Sequence, residues 1–169
     1  KKAIRQFQIV LIENPLMFKA HYNLGTAYLK LGQLARSANA LEECLKINPS
    51  FKEAIFNMGR LRQLQGRWED SSLMYNKFLE IEKNHPEAEL ALGINAMQKG
   101  NENEAARRFK RTLEIDPKNI NALVNLGNLA AQAKVFDKAE QYFYKALRIE
   151  PNIYQIYLQL SLIASDIRQ

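Results

Sequence analysis

Residues 21–51 read HYNLGTAYLKLGQLARSANALEECLKINPSF, and much of the chain retells them. The pair Leu24-Gly25 returns as Met58-Gly59, Leu92-Gly93 and Leu126-Gly127, each step 34 residues long. Gly32 returns as Gly66 and Gly100, and Lys134 breaks that series. Pro15, Pro49, Pro117 and Pro151 keep the same register. All seven glycines fall into two places of one repeating unit. A fixed period of this length is the mark of a stacked-repeat architecture.

Each unit reads as two helices. In the first, apolar residues recur at helical spacing, as in Leu123, Leu126, Gly127 and Ala130. The second repeats the pattern in Ala139, Phe143, Ala146 and Leu147. Gly32, Gly66 and Gly100 stand where a first helix stops, because glycine accepts a left-handed backbone cheaply. The in-step prolines end the second helix. Gly25, Gly59, Gly93 and Gly127 fall inside a helix, at a cost of about 1 kcal/mol against Ala. That cost is expected to reflect two helix backbones too close for a side chain.

The complete units are 18–51, 52–85, 86–119 and 120–153. Residues 1–17 read as the second half of an earlier unit, with Ala3, Phe7, Leu11 and Pro15 matching Ser37, Leu41, Leu45 and Pro49. Residues 154–169 read as the first half of a later one, with Leu160-Ser161 in place of Leu-Gly. The whole of 1–169 is thus expected to be a single array of about ten helices, cut from or continuing into something longer.

The 34-residue helix–turn–helix with Leu-Gly, then a small residue, then an aromatic and Pro resembles the tetratricopeptide repeat over the whole chain, best in 120–153. The family's early aromatic is replaced by His21, Ile55, Glu89 and Leu123, and its later first-helix Tyr survives as Tyr28. The resemblance implies an all-α, right-handed α-α superhelical solenoid whose first helices line a concave groove that docks peptides or partner proteins. By the same resemblance the groove residues here are Tyr22, Asn23, Thr26, Phe56, Asn57, Arg60, Leu90, Ile94, Met97, Asn121, Asn125, Asn128 and Gln159. They give a cationic and aromatic end, an apolar middle and an amide-rich end. Asn23, Asn57 and Asn125 form an interrupted ladder whose amides can both donate to and accept from a peptide backbone. Some members of the family hold a C-terminal carboxylate in a clamp of paired cations. The matching places hold Tyr22, Thr26, Asn57, Glu87 and Ala91, or Phe56, Arg60, Ala91, Asn121 and Asn125, and neither set supplies those cations.

One junction departs from the pattern. Lys83 stands where proline is expected, and Pro86 comes three residues later. Phe78 replaces the small residue seen as Cys44, Thr112 and Ala146. The helix from Trp68 is therefore expected to run long, with Pro86 in the first turn of the next helix, where its missing N–H costs nothing. Glu89, on a stripe otherwise apolar, belongs to the same irregularity.

Catalytic and metal chemistry find no footing. His21 and His85 are far apart and lack companions at ligand spacing. Cys44, the single cysteine, lies on the packed stripe and reads as a small buried hydrophobe. It fits a reducing compartment, with cytoplasm the default expectation. No phosphate-binding loop and no nucleophile–base pair stands out, so neither an enzyme nor a cofactor is expected. No stretch is long and apolar enough to insert in a membrane.

The net charge of +6 permits acidic partners without specifying them. The basic run Arg107, Arg108, Lys110 and Arg111 is flanked by Glu102, Glu104 and Glu114, and is expected to be a solvated face rather than a nucleic-acid surface. The expected role is a non-catalytic scaffold binding a protein or peptide. The alternatives are a substrate-recruiting arm of a larger enzyme, as in some protein glycosyltransferases, and a structural array. In the last case the apolar faces Ile4-Phe7-Leu11 and Tyr157-Leu160-Ala164 associate end to end.

Overall fold

A helix interior that tolerates glycine at every repeat must have something resting on it, and the computed structural model shows what. The structure describes residues 2–167, which hold ten α-helices and no strand. One unit, running to Lys83, contains α1 (Lys2–Glu13), α2 (Phe18–Lys30), α3 (Leu34–Ile47), α4 (Lys52–Leu64) and α5 (Trp68–Ile81). A second, from Asn84, contains α6 (Pro86–Gln98), α7 (Glu102–Ile115), α8 (Ile120–Gln132), α9 (Phe136–Ile149) and α10 (Tyr154–Ile167). Lys1, Arg168 and Gln169, which the sequence reading assigned to the terminal half-repeats, lie outside the described residues.

Within each unit, sequential helices pair as hairpins, α2 with α3 and α4 with α5, then α6 with α7 and α8 with α9. What fills the space above each mid-helix glycine is a side chain from the second helix, rather than the bare backbone the sequence led us to expect. A Cβ on Gly93 would lie 2.4 Å from Cε1 of Phe109, and one on Gly127 would lie 2.5 Å from Cε1 of Phe143. At Gly25 it would meet Leu41 Cγ at 2.7 Å, and at Gly59 the Tyr75 ring at 3.1 Å. Leu41, Tyr75, Phe109 and Phe143 are themselves 34 residues apart and are all but fully buried. The small residues at Ser37, Ser71, Ala105 and Ala139 are also buried. Ser37 stays polar at no cost, because its Oγ donates to the Gly25 carbonyl at 2.8 Å.

The turns between paired helices close alike. The N–H of Gln33 bonds the Tyr28 carbonyl at 2.9 Å and that of Gly32 bonds Leu29 at 3.0 Å, a Schellman closure. Asn101 to Ala96 and Gly100 to Met97 repeat it, both at 2.9 Å. The break in the glycine series turns out to be chemical only. Lys134 takes φ 57° where Gly100 takes 72°, and Val135 and Lys134 make the same two bonds to Ala130 and Ala131. A lysine there carries the left-handed penalty that glycine avoids.

In the first unit the core joins Leu29, Leu41, Cys44, Met58 and Leu61, with Phe18, Tyr22 and Phe51 packed against it. A smaller cluster of Leu24, Tyr28 and Ala40 is covered by Ile4, Phe7 and Leu11. Those three residues of α1 are thus not the unpaired face that the end-to-end expectation supposed. In the second unit Phe109, Leu126 and Leu129 form one cluster, and Leu123, Phe143, Ile156 and Ile163 another.

The long helix expected after Trp68 is absent. α5 has 14 residues, as do α3, α7 and α9. It ends at Glu82 with φ −128° and ψ 86°, close to the −131° and 90° at Asn48 before Pro49. Extended backbone at this place stops the helix with or without proline. Pro86 does open α6, and His85 Nδ1 caps it by accepting from the N–H of Ala88 at 3.3 Å.

These contacts rank the glycines. Gly93→Ala and Gly127→Ala should each cost about 1–3 kcal/mol in urea unfolding, since a rigid ring must shift to admit the methyl. Gly59→Ala should fall near zero, because the looser Tyr75 contact is offset by the ~1 kcal/mol helix preference of Ala. Lys134→Gly should raise stability by about 1 kcal/mol, by relieving the left-handed residue.

Candidate functional site

Helical spacing puts Lys19, Tyr22, Asn23, Thr26 and Lys30 on one stripe of α2, and Glu53, Phe56, Asn57 and Arg60 on the matching stripe of α4. Asn57 Nδ2 donates to Thr26 Oγ1 at 3.1 Å, which ties the two stripes side by side. Tyr22 stands edge-on to Phe51, ring centres 5.1 Å apart, and is half-buried. Phe56 meets Tyr75 at 5.3 Å and Phe78 at 5.1 Å, both edge-on, so its ring also belongs to the core. Asn23 and Arg60 are exposed.

The second unit holds the other sequence-derived candidates. Leu90, Ile94 and Met97 on α6 are half-buried against Ala96, Phe109 and Leu126, with Ala91 almost fully covered between them. The strip that looked like an outer apolar face thus gives much of its surface to its own core. Asn121 is exposed, while Asn125, Asn128 and Gln159 are half-buried. The candidates therefore divide six and seven between the units. Direct bonding between stripes is seen at Thr26 and Asn57.

Concave space is found on the second-helix side. A cleft of about 470 Å³ in the first unit is floored by Leu45, Met58 and Met74, with Leu73 beside it. Its rim carries the pairs Arg62–Glu42 at 2.8 Å and Arg67–Asp70 at 2.6 Å. A second cleft of about 470 Å³ lies over Leu24 and Tyr28, where Arg36 sits 5.8 Å from the centre of the Tyr28 ring. A smaller one of about 210 Å³ lies between Lys110, Leu129 and Tyr142 in the second unit. Sequence reasoning missed these clefts, though an apolar Leu73 on the polar side of α5 was a signal.

Reactive groups are muted. Burial pushes the Cys44 thiol up to about 11, against a backbone hydrogen bond with Tyr22 that pulls it down. Burial likewise raises the Tyr75 hydroxyl, opposed by Arg60. Among the described residues no three His, Cys, Asp or Glu side chains gather as a metal site would require, and no helix is long and apolar enough to cross a membrane.

The basic run of α7 is not uniformly solvated. The Arg108 side chain is only 16% exposed and its Nη1 meets Glu89 Oε2 at 2.9 Å, while its Nε meets Glu104 at 2.7 Å. Glu89 thereby resolves as the buried half of an ion pair. Arg107 also binds Glu104, and Arg111 binds Glu114 at 2.7 Å and Asn84 at 2.9 Å.

Two models of the tetratricopeptide repeat match the sequence, over residues 18–51 and 96–162. No curated protein matches it. Among solved structures, MamA aligns at 21% identity with a TM-score of 0.83, covering 90% of this chain and 89% of its own. YrrB, described as a TPR protein with an unusual peptide-binding site, aligns at 15% identity and 0.79, covering 96% and 84%. PilF of Pseudomonas aeruginosa aligns at 23% and 0.77, covering 89% and 69%. At these identities the likeness speaks for the fold, the all-α helical-repeat solenoid class.

The Glu104 network has a pH signature. Hydrogen bonds from Arg107 foremost, and from Arg108, hold its carboxyl at about 2, well below the ordinary 4.5, against the opposing pull of partial burial. A depressed folded value stabilises fully above pH 4.5, and that stabilisation drains away as pH falls toward 2. Glu104→Gln should flatten the fall in stability across that interval, measured by urea unfolding at stepped pH. An unchanged slope would assign the acid sensitivity to other carboxylates.

Proposed function

The chain belongs to the tetratricopeptide repeat family, and from that premise we propose that it is a non-catalytic scaffold that binds a peptide or partner protein along its first-helix faces, the surfaces that line the groove in this family. The observation that carries the reading is the bonded pair of stripes on α2 and α4. There Asn23 and Arg60 stand exposed, and the half-buried Tyr22, Thr26 and Asn57 leave part of a ring, a hydroxyl and an amide facing outward. Side-chain amides offer donor and acceptor together, so they pair with an extended backbone whatever its sequence. Rings and amides of this kind give contact area and adaptable hydrogen bonds with few rotors to immobilise. The half-buried Leu90, Ile94 and Met97 supply an apolar stretch, and Asn121, Asn125, Asn128 and Gln159 a polar one, on the corresponding face of the second unit.

Selection of a displayed random-peptide library on the folded protein tests the reading. Selected peptides should lose about tenfold or more in affinity, about 1.4 kcal/mol, with Asn23→Ala and Arg60→Ala combined, while the melting temperature shifts little because both side chains are exposed. Binding untouched by those changes but abolished by Leu73→Lys, a change at an exposed side chain, would move the site to the second-helix clefts and defeat the first-helix reading.

A further inference from the structure

We infer that the first-helix face of the first unit selects an extended segment rich in carboxylates, an acidic peptide, and this rests on the peptide-binding reading above. The α2 stripe begins and ends in cations, Lys19 and Lys30, and the α4 stripe beside it carries Arg60. All three are exposed, and among the described residues none lies within ion-pair distance of a carboxylate. Glu53 is the one acid on these stripes. Two residues beyond Arg60, Arg62 turns toward α3 and is consumed, with Glu42 at 2.8 Å and Gln65 at 3.0 Å. Position on α4 therefore separates a structural arginine from one left facing solvent.

The first-helix stripes of the second unit, running through Leu90, Ile94, Asn125 and Gln159, carry Glu87 and no lysine or arginine. The positive charge of these stripes is thus confined to the first unit. Lys19 and Lys30 are eleven residues apart on α2, about 16 Å at 1.5 Å per residue. That distance is spanned by about five residues of extended chain. Between them Asn23 is exposed, and Asn57 keeps an oxygen and a second amide hydrogen after its bond to Thr26. The face therefore offers cations for side-chain carboxylates at its ends and amides for the peptide backbone in its middle. Complementarity of this kind acts on selectivity and encounter rate, and salt screens it over about 10 Å at 0.1 M.

Fluorescence anisotropy with labelled peptides of about twelve residues, long enough to cross the face, tests the inference. One alternates Glu and Gly, one alternates Gln and Gly, and a single-stranded oligothymidylate of similar length is the third probe. The Glu–Gly peptide should bind about tenfold tighter than the Gln–Gly peptide at low salt and lose that margin as salt rises. Lys19→Glu, Lys30→Glu and Arg60→Glu together should abolish it, with the helical circular dichroism unchanged. If that triple variant fails to fold, Lys19→Gln with Lys30→Gln should still reduce the margin severalfold.

Equal binding of both peptides overturns the charge selection and leaves the peptide-binding reading standing. So does a null result with both peptides while library-selected peptides bind. A margin that survives the charge reversal places the acid-binding surface elsewhere. Tighter binding of the oligothymidylate, lost in the same variant, makes the face a nucleic-acid surface and overturns the inference. Failure of the designed and the selected peptides alike removes both readings.

Discussion

One contact recurs through both units and the rest of the structure is arranged to permit it: a bulky side chain of each second helix seated on a bare glycine of the first. Its energetics favour the arrangement. Glycine inside a helix costs about 1 kcal/mol. A fully buried Phe or Leu side chain contributes about 1.5–3 kcal/mol. A methyl at Gly93 or Gly127 would stand within 2.6 Å of ring carbons, nearer than atoms tolerate, so the ring would have to leave its seat. The seat also draws in what surrounds it. Ser37, Ser71, Ala105 and Ala139 must be small for the second helix to approach, and the one with a hydroxyl next to Gly25 bonds that glycine's carbonyl.

Where the repeat departs from its own pattern, local physics supplies a substitute instead of a distortion. Glu82 adopts the extended backbone that elsewhere precedes proline, so α5 stops at the usual length. Lys134 accepts a left-handed backbone and closes the same pair of hydrogen bonds as Gly100. Glu89 replaces an aromatic of the family's pattern at a buried place, and Arg108 reaches from α7 to neutralise it. Such a pair is weak evidence of stability, since desolvating two charges offsets much of their attraction. It does explain why the basic run of α7 is less available than its composition implies, with Arg107, Arg108 and Arg111 all engaged by carboxylates.

The functional reading follows from what packing leaves over. Hairpin formation consumes one stripe of every first helix, and the exposed positions of the opposite stripe can vary with little cost to the fold. In the first unit that free stripe carries exposed cations and amides, and in the second it is apolar and amide-bearing. The clefts between second helices are a competing surface, lined by Leu45, Met58 and Met74 but rimmed by charges already paired to one another.

The sequence alone determined the period, the helix pairs and the places of turn and glycine, because these depend on interactions within one repeat that recur whenever the repeat does. It also marked Cys44 as buried and Pro86 as a helix start. Contacts that join residues distant along the chain were decided only by tertiary structure: the side chain that occupies each glycine seat, the Glu89–Arg108 pair, the bond from Asn57 to Thr26. The candidate face was legible as a list of residues, since helical spacing assigns a side. How far Leu90, Ile94 and Met97 sink into their own core was not, because burial depends on neighbouring helices whose approach no single helix encodes.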